Sequence, residues 1–455
     1  MASRTCLAII LAAGEGVRMK SALPKAMHPI GGRPMLGYVL DAAAEGGAGS
    51  IAVVIGPKAE IVREFVGKAA PGATTHVQAE RRGTGHAVLA AREAIAKGHD
   101  DVLVLYGDTP LITGGSLQRI RAELAAGADV VVVGFRPANP AGYGRLIEDG
   151  GRLTAIVEEK DATPAQRKVG FVNGGIIGFR GTGMLALLDR IDTKNAQGEY
   201  YLTDAVAHAN QAGKRVQALE VDADEVAGVN DRQQLSHAEG LFQKVMRETA
   251  MAEGATMIAP STVWFSYDTK IGKDVTIEPN VFFGPGVTIA DGVTIRANSH
   301  IEGATIASDA IIGPFARLRP GADIGANAHI GNFVEVKNTT VGEGAKANHL
   351  AYLGDAEVGA RTNIGAGTIT CNYDGFDKHR TTIGADVFVG SNTALVAPVT
   401  VGDGANIAAG SVITHDVAAD ALAVARARQE DKPGWAKGYR ERKVAEKKAR
   451  KKRDH

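Results

Sequence analysis

Two sets of residues in this chain have the types and spacing for chemistry on phosphorylated substrates. The first begins where an apolar run, Cys6–Leu11, feeds Leu11-Ala12-Ala13-Gly14-Glu15-Gly16-Val17-Arg18-Met19, with Pro24-Lys25 a few residues further on. A glycine turn at the end of a first strand lets backbone N–H groups reach phosphate oxygens with no Cβ in the way. Arg18 and Lys25 add two cations that can cover a triphosphate. Asp108 follows the apolar run Val102–Leu105 and Tyr106-Gly107. Before Thr109-Pro110 it can serve as a turn residue. Its place at the end of an apolar strand favours a ligand for Mg²⁺, an ion that takes hard oxygens and keeps several waters.

The second set lies between Ile271 and about Val417, where an aliphatic residue recurs every six positions with a few deletions. No α-helix has that period; one short strand plus a corner does, and three such units close a triangular coil. The period places side chains on successive coils by counting. Arg319 and Lys337 are 18 residues apart, so they share a corner on adjacent coils, stacked at about 4.8 Å. Cations held so close repel unless an anion lies between them. Glu335 and Tyr352 are 17 apart across one deletion and stack likewise. His349 is the third residue of its hexad, near a corner and away from the core. A histidine beside a carboxylate and two phosphate-seeking cations is a candidate general base.

The elements that must position these groups differ between the halves. Residues 1–229 alternate apolar runs (Cys6–Leu11, Ile51–Ile55, Val102–Leu105, Val130–Val133) with helical patterns (Pro34–Ala44, Ile61–Lys68, Gly85–Ala96, Leu117–Ala125). That alternation predicts an α/β domain with a mainly parallel sheet. Residues 230–252 read as a linker helix with Leu235, Ala238, Phe242, Val245 and Met246 on one face. Hexads fill 253–425, and 426–455 is a C-terminal basic tail. The chain of 455 residues has zero formal net charge, yet Lys437–His455 carries ten Lys/Arg against three Asp/Glu. With Tyr439 as the only aromatic of Gly438–His455, the tail reads as solvated, with no nucleic acid expected. Two cysteines make no disulfide framework, no apolar run reaches the length of a membrane span, and no secretory leader pattern opens the chain. The expectation is a soluble, cytoplasmic protein.

The turn with Arg18 and Pro24-Lys25 resembles the sugar-1-phosphate nucleotidyltransferase family, and the resemblance continues through the first half. It implies a Rossmann-like domain in which Leu11, Ala12, Ala13, Gly14 and Lys25 hold phosphate. Gln78, Gly83 and Thr84 read the uracil edge, and Tyr106, Gly107 and Asp108 form the metal-bearing strand end. Gly144, Glu158 and Asn173 bind sugar, and Asn230 joins Asp108 as metal ligand. Arg18 then stabilises the leaving pyrophosphate. Val17 and Gly174 depart from the family pattern, and Val17 is assigned no role.

The segments Gly313–Pro320, Gly331–Lys337, His349–Asp355 and Asn363–Gly375 resemble the bacterial bifunctional N-acetylglucosamine-1-phosphate uridyltransferase/glucosamine-1-phosphate acetyltransferase family. The match covers almost the whole chain apart from the basic tail. It implies a left-handed parallel β-helix with His349 as general base and Glu335 orienting it. Arg319, Lys337, Tyr352, Asn363 and Lys378 take glucosamine-1-phosphate; Ala366, Asn372, Tyr373, Ser391, Ala409 and Arg426 take acetyl-CoA. It further implies Mg²⁺, UTP and acetyl-CoA as co-substrates, and a homotrimer with the acyl site between chains. The product, UDP-N-acetylglucosamine, serves peptidoglycan and lipid A synthesis. The alternative is a monofunctional nucleotidyltransferase whose hexads are structural or regulatory.

Overall fold

The computed structural model describes residues 4–451; the last four residues of the basic tail, and the first three of the chain, lie outside them. The chain divides into two units. One comprises Met1–Gly254, Ala259–Thr269 and Phe283–Pro285; the other comprises Ala255–Ile258, Lys270–Phe282 and Gly286–His455. Two short segments counted with the hexads therefore cluster with the first unit.

In the first unit Cys6–Leu11 lies inside a sheet ordered Val216–Glu220, Val130–Phe135, Val172–Arg180, Asp101–Tyr106, Cys6–Leu11, Ser50–Ile55, Thr74–Val77. Val172–Arg180 runs antiparallel to both its neighbours, and the other pairs along this path are parallel. A strand covered on both faces is apolar throughout rather than alternating. Cys6, Ala8 and Ile10 enter one core, and Leu7 and Ile9 the other. The four predicted strands are present within two residues at each end. The helix expected over 85–96 is instead two, Thr84–Ala90 and Arg92–Ala96, parted at Ala91, whose N–H reaches back only to Val88.

The helix Arg232–Ala252 starts at Asp231, whose side chain accepts from the Gln233 and Gln234 N–H groups at 3.0 and 2.9 Å. Ala238 and Phe242 pack with Ile30, Met35 and Val229, and Leu235 and Met246 flank them. Val245 is 59% exposed and lies outside this cluster, although its seven-residue spacing from Ala238 sets it within about 20° of that residue around the helix.

The second unit is a parallel β-helix. Among the described residues its three sheets contain ten, eight and eight strands, each strand paired with the one a full coil later. The hexad aliphatics point inward: Ile277, Ile295, Ile312, Ile330 and Ala347 stack in one sheet at no exposure. Asp274, Asn280, Asn298, Asp309 and Asn327 take left-handed φ of 56–62° at corners, the region these short polar residues tolerate best. Residues 372–380 leave the coil. Tyr373 bridges Lys378, and Asp374 accepts the Phe376 and Asp377 N–H groups at 2.8 Å. Beyond the coils, Trp435–Lys451 forms an exposed helix.

Candidate functional site

The carboxyl ends of the central parallel strands open into a cavity of about 490 Å³, where open α/β sheets bind ligands. Leu11, Ala12, Ala13, Gly14, Lys25, Gln78, Gly83, Thr84, Tyr106, Asp108, Asn173 and Asn230 all line it. Gln78 is nearly buried and donates from Nε2 to the Gly83 carbonyl at 3.3 Å. Gly83 has φ +111°, and a Cβ there would meet the Tyr200 carbonyl at 2.5 Å, so only glycine fits. Burial, followed by the charges of Asp108 and Glu158, pushes the Tyr106 hydroxyl far above its ordinary value, and it stays neutral.

Four expected residues stand off this lining. Arg18 is exposed, in the short turn Val17–Met19 flanked by left-handed Gly16 and Lys20. Gly107 lies under the turn, where a Cβ would come within 3.3 Å of both Ala12 and Ala26; its place is a packing requirement. Gly144 and Glu158 lie just behind the cavity. Asn173 donates its N–H to the Gly144 carbonyl at 2.8 Å, and the Glu158 carboxyl lies beside Gly144. The three sugar-site residues are thus adjacent. Burial, followed by the charges of Asp161 and Asp204 and opposed by the Thr203 hydroxyl, raises the Glu158 pKa. The sequence reading missed Arg81 and Glu199, which also line the cavity. Arg81 carried a signal, as a cation inside the Gln78–Gly83 segment.

Asp108 and Asn230 converge on one point. The Lys25 ammonium forms an ion pair with Asp108 and donates to Asn230 Oδ1 at 3.0 Å. The Val229 N–H donates to the Asp108 carbonyl at 2.9 Å, tying the two segments together. One carboxylate and one amide oxygen, already sharing a cation, fit a divalent metal that takes its remaining oxygens from phosphate and water. Among the described residues no cluster of three His, Cys, Asp or Glu side chains forms a metal cage.

In the second unit the counted stacks are observed. Glu335 pairs in register with Tyr352, and Leu318 with Val336, which sets Arg319 against Lys337. Glu335 accepts from Arg319 at 2.8 Å and lies 3.7 Å from Arg317. A Cβ on Gly354 would collide with the Tyr352 hydroxyl; the ring lies across that glycine, beside Lys337. Lys378 returns from the loop to the same place, where the Lys337 ammonium pulls its pKa below the usual lysine value. Asp355 is raised by burial but held lower overall by the Asn338 and Asn372 amides and by these two ammoniums. Two facing ammonium groups beside two guanidiniums make an anion site.

His349 is held differently from the expectation. Its Nδ1 bonds to Asn332 Oδ1 at 2.7 Å, while Glu335 is engaged by the two arginines. Asn332 and His349 end paired strands on one face; Glu335 begins a strand on the next. From His349 a column runs along one corner. The Gly367 N–H reaches the His349 carbonyl at 3.4 Å, the Asn392 N–H the Ala366 carbonyl at 2.7 Å, and the Gly410 N–H the Ser391 carbonyl at 2.8 Å. His349, Ala366, Ser391 and Ala409 therefore occupy successive coils, and Arg426 approaches Gly410 at the end of the column. Three expected residues sit elsewhere. Asn372 bonds Asp355 on the cation side, and Tyr373 extends into the loop, its hydroxyl donating to the Gly375 carbonyl at 2.6 Å. Asn363 stacks between Lys346 and Phe388 on another sheet, apart from the cations.

Comparison with known proteins assigns both halves. A family model described as "MobA-like NTP transferase domain" matches residues 8–162. One described as "Bacterial transferase hexapeptide (six repeats)" matches 268–303, 303–338 and 380–415. The chain is 57% identical over 450 residues to Bifunctional protein GlmU of Brucella anthropi and 56% identical over 449 residues to that of Agrobacterium fabrum, each covering 99% of both chains. It is 56% identical over 440 residues to that of Azorhizobium caulinodans, covering 97% of this chain and 98% of the relative. With end-to-end identity of this order and both catalytic units in one polypeptide, the chain belongs to the bifunctional GlmU family.

Proposed function

We propose that the chain makes UDP-N-acetylglucosamine in two steps. The second unit acetylates glucosamine-1-phosphate with acetyl-CoA; the first transfers UMP from UTP to N-acetylglucosamine-1-phosphate and releases pyrophosphate. The observation that carries this reading is the pairing of two sites in one chain: a phosphate turn beside the Lys25–Asp108–Asn230 cluster, and an imidazole heading a column next to an anion site. The monofunctional alternative is not favoured, because the relatives it matches from end to end are named bifunctional. One purified preparation should release thiol from acetyl-CoA only with glucosamine-1-phosphate, and pyrophosphate from UTP only with N-acetylglucosamine-1-phosphate. Absence of either release refutes the two-step reading.

In acetyl transfer, the Nδ1–H donated to Asn332 leaves the His349 Nε2 lone pair free. Nε2 takes a proton as the substrate amine attacks the thioester carbonyl; collapse of the tetrahedral intermediate expels the CoA thiolate. The Ala366 N–H is the proposed oxyanion donor. Lys337, Lys378, Arg319 and Tyr352 hold the sugar phosphate. In uridylyl transfer, a phosphate oxygen of the sugar attacks the α-phosphorus in line, and no protein nucleophile is needed. Lys25 and Arg18 neutralise the triphosphate and the leaving pyrophosphate. Mg²⁺, held by Asp108 and Asn230, supplies charge neutralisation on the phosphates when bound.

Two predictions arise here. Asn332→Ala frees the His349 ring, so kcat for acetyl transfer should fall about tenfold with a shifted acidic limb of the pH–rate profile, while the KM for acetyl-CoA holds. An unchanged profile would remove Asn332 from the mechanism. Lys378→Ala removes one of the facing ammoniums and should raise the KM for glucosamine-1-phosphate about tenfold without moving that for acetyl-CoA; equal rises in both would point to loop damage instead.

We also assign a homotrimer. Phe376, in the loop, is 92% exposed, and Asn363 lies on a different sheet from Arg319 and Lys337 of its own chain; a second copy answers both. Among the described residues no helix is long and apolar enough to cross a membrane, and both cysteines are free. The free thiols support a reducing compartment, the cytoplasm, as the site of action.

A further inference from the structure

We infer that Arg81 is a third cation for the triphosphate in the first active site, parked on Glu15 until substrate arrives. The inference rests on the uridylyl-transfer reading and deepens it. Arg81 lines the cavity that contains Asp108 and Lys25, and also a second cavity of about 490 Å³ on the other flank of the glycine turn. That second space is bounded by Gly14, Glu15, Pro24 and Lys58. The Arg81 Nε donates to the Ala13 carbonyl at 3.2 Å, and its Nη1 pairs with the Glu15 carboxylate. Its two partners flank Gly14, the residue whose backbone faces the phosphates in this reading.

The chemistry of the pair gives the direction of exchange. A guanidinium presents five N–H donors in a planar fork suited to two oxygens of one phosphate. Glu15 and Arg81 are 61% and 43% exposed, and an ion pair that open to water is weak. A carboxylate beside a phosphate-binding turn otherwise repels a polyanion. Paired with Arg81, it is neutralised, and it holds the guanidinium within one side-chain rotation of the turn. A triphosphate carries more charge and offers a bidentate partner, so it displaces the carboxylate. Arg81 stands on the flank away from the Asp108–Asn230 pair, where the β- and γ-phosphates that leave as pyrophosphate would extend. Its contact is therefore with the leaving portion rather than with UMP.

The test compares full-length wild type, Arg81→Gln and Glu15→Gln in steady-state uridylyl transfer at saturating Mg²⁺ and N-acetylglucosamine-1-phosphate, with UTP varied. Arg81→Gln should raise the KM for UTP about tenfold. Glu15→Gln, which removes the internal competitor, should lower it about threefold. In the reverse direction Arg81→Gln should raise the KM for pyrophosphate and leave that for UDP-N-acetylglucosamine in place. An unchanged KM for UDP-N-acetylglucosamine in the same preparations reports that the first unit of each variant is folded. Opposite signs for the two substitutions support the exchange. A rise in KM for both would make the pair a structural latch, and no change in either would leave Arg81 off the triphosphate; both overturn the inference. A wild type that releases no pyrophosphate from UTP at all would refute the functional reading itself, a result distinct from either.

Discussion

Replacing His349 with alanine lowers acetyl transfer to glucosamine-1-phosphate by about 10²- to 10⁴-fold, the range a positioned general base supplies. The primary ammonium of glucosamine-1-phosphate cannot attack a thioester until it loses a proton, and the imidazole is the acceptor placed at the head of the column. Its Nδ1 is committed to Asn332 at 2.7 Å, so only Nε2 is available and its direction is fixed. Uridylyl transfer by the same variant should stay within about twofold of wild type, because sites that share no residue or partner add rather than couple. The measurement is thiol release from acetyl-CoA beside pyrophosphate release from UTP. A variant that kept full thiol release would leave the imidazole without a catalytic part.

Asp108→Ala should do the converse, cutting pyrophosphate release by roughly 10²- to 10³-fold, the scale of a preorganised charge-stabilising group, while sparing acetyl transfer. Asp108 anchors two things at once. It is the carboxylate of the proposed Mg²⁺ pair, and it holds the Lys25 ammonium by an ion pair. Its loss leaves Asn230 alone with Lys25 at 3.0 Å. A chelator added to wild type should abolish the same activity and added Mg²⁺ restore it, whereas the variant should respond weakly to Mg²⁺. Full pyrophosphate release by Asp108→Ala would remove the metal assignment.

Much of the second site was legible because a β-helix turns sequence separation into spatial register. Counting in sixes set Glu335 on Tyr352, and the strands pair that way. The same arithmetic, applied once more, places Asn363 beside Lys346 rather than Arg319, so its separation from the cations was readable in principle. The partner of His349 was not. Glu335 was the attractive choice by charge, but two arginines compete for it, and Asn332 read as an ordinary corner residue. Only side-chain direction distinguishes them.

In the first unit the buried parallel strands announced themselves as continuous apolar runs. The antiparallel strand Val172–Arg180 did not. Its Asn173-Gly174-Gly175 segment dilutes the apolar pattern, and the register shifts between Asn173 and Ile177. Those irregular residues are the ones that line the cavity, where a bulge commonly re-aims side chains. The phosphate turn was legible from its glycines; Arg81 was marked only as a cation inside the Gln78–Gly83 segment, and its contact with Ala13 and Glu15 was not legible, because it joins segments far apart in the chain.

The most direct test of one chain with two consecutive activities is mass spectrometry of the products formed when the purified protein receives UTP, acetyl-CoA, glucosamine-1-phosphate and Mg²⁺ together. The account predicts UDP-N-acetylglucosamine, free CoA and pyrophosphate in equal amounts, with N-acetylglucosamine-1-phosphate accumulating when UTP is withheld. UDP-glucosamine in place of the acetylated product, or no product without a second enzyme, would contradict it.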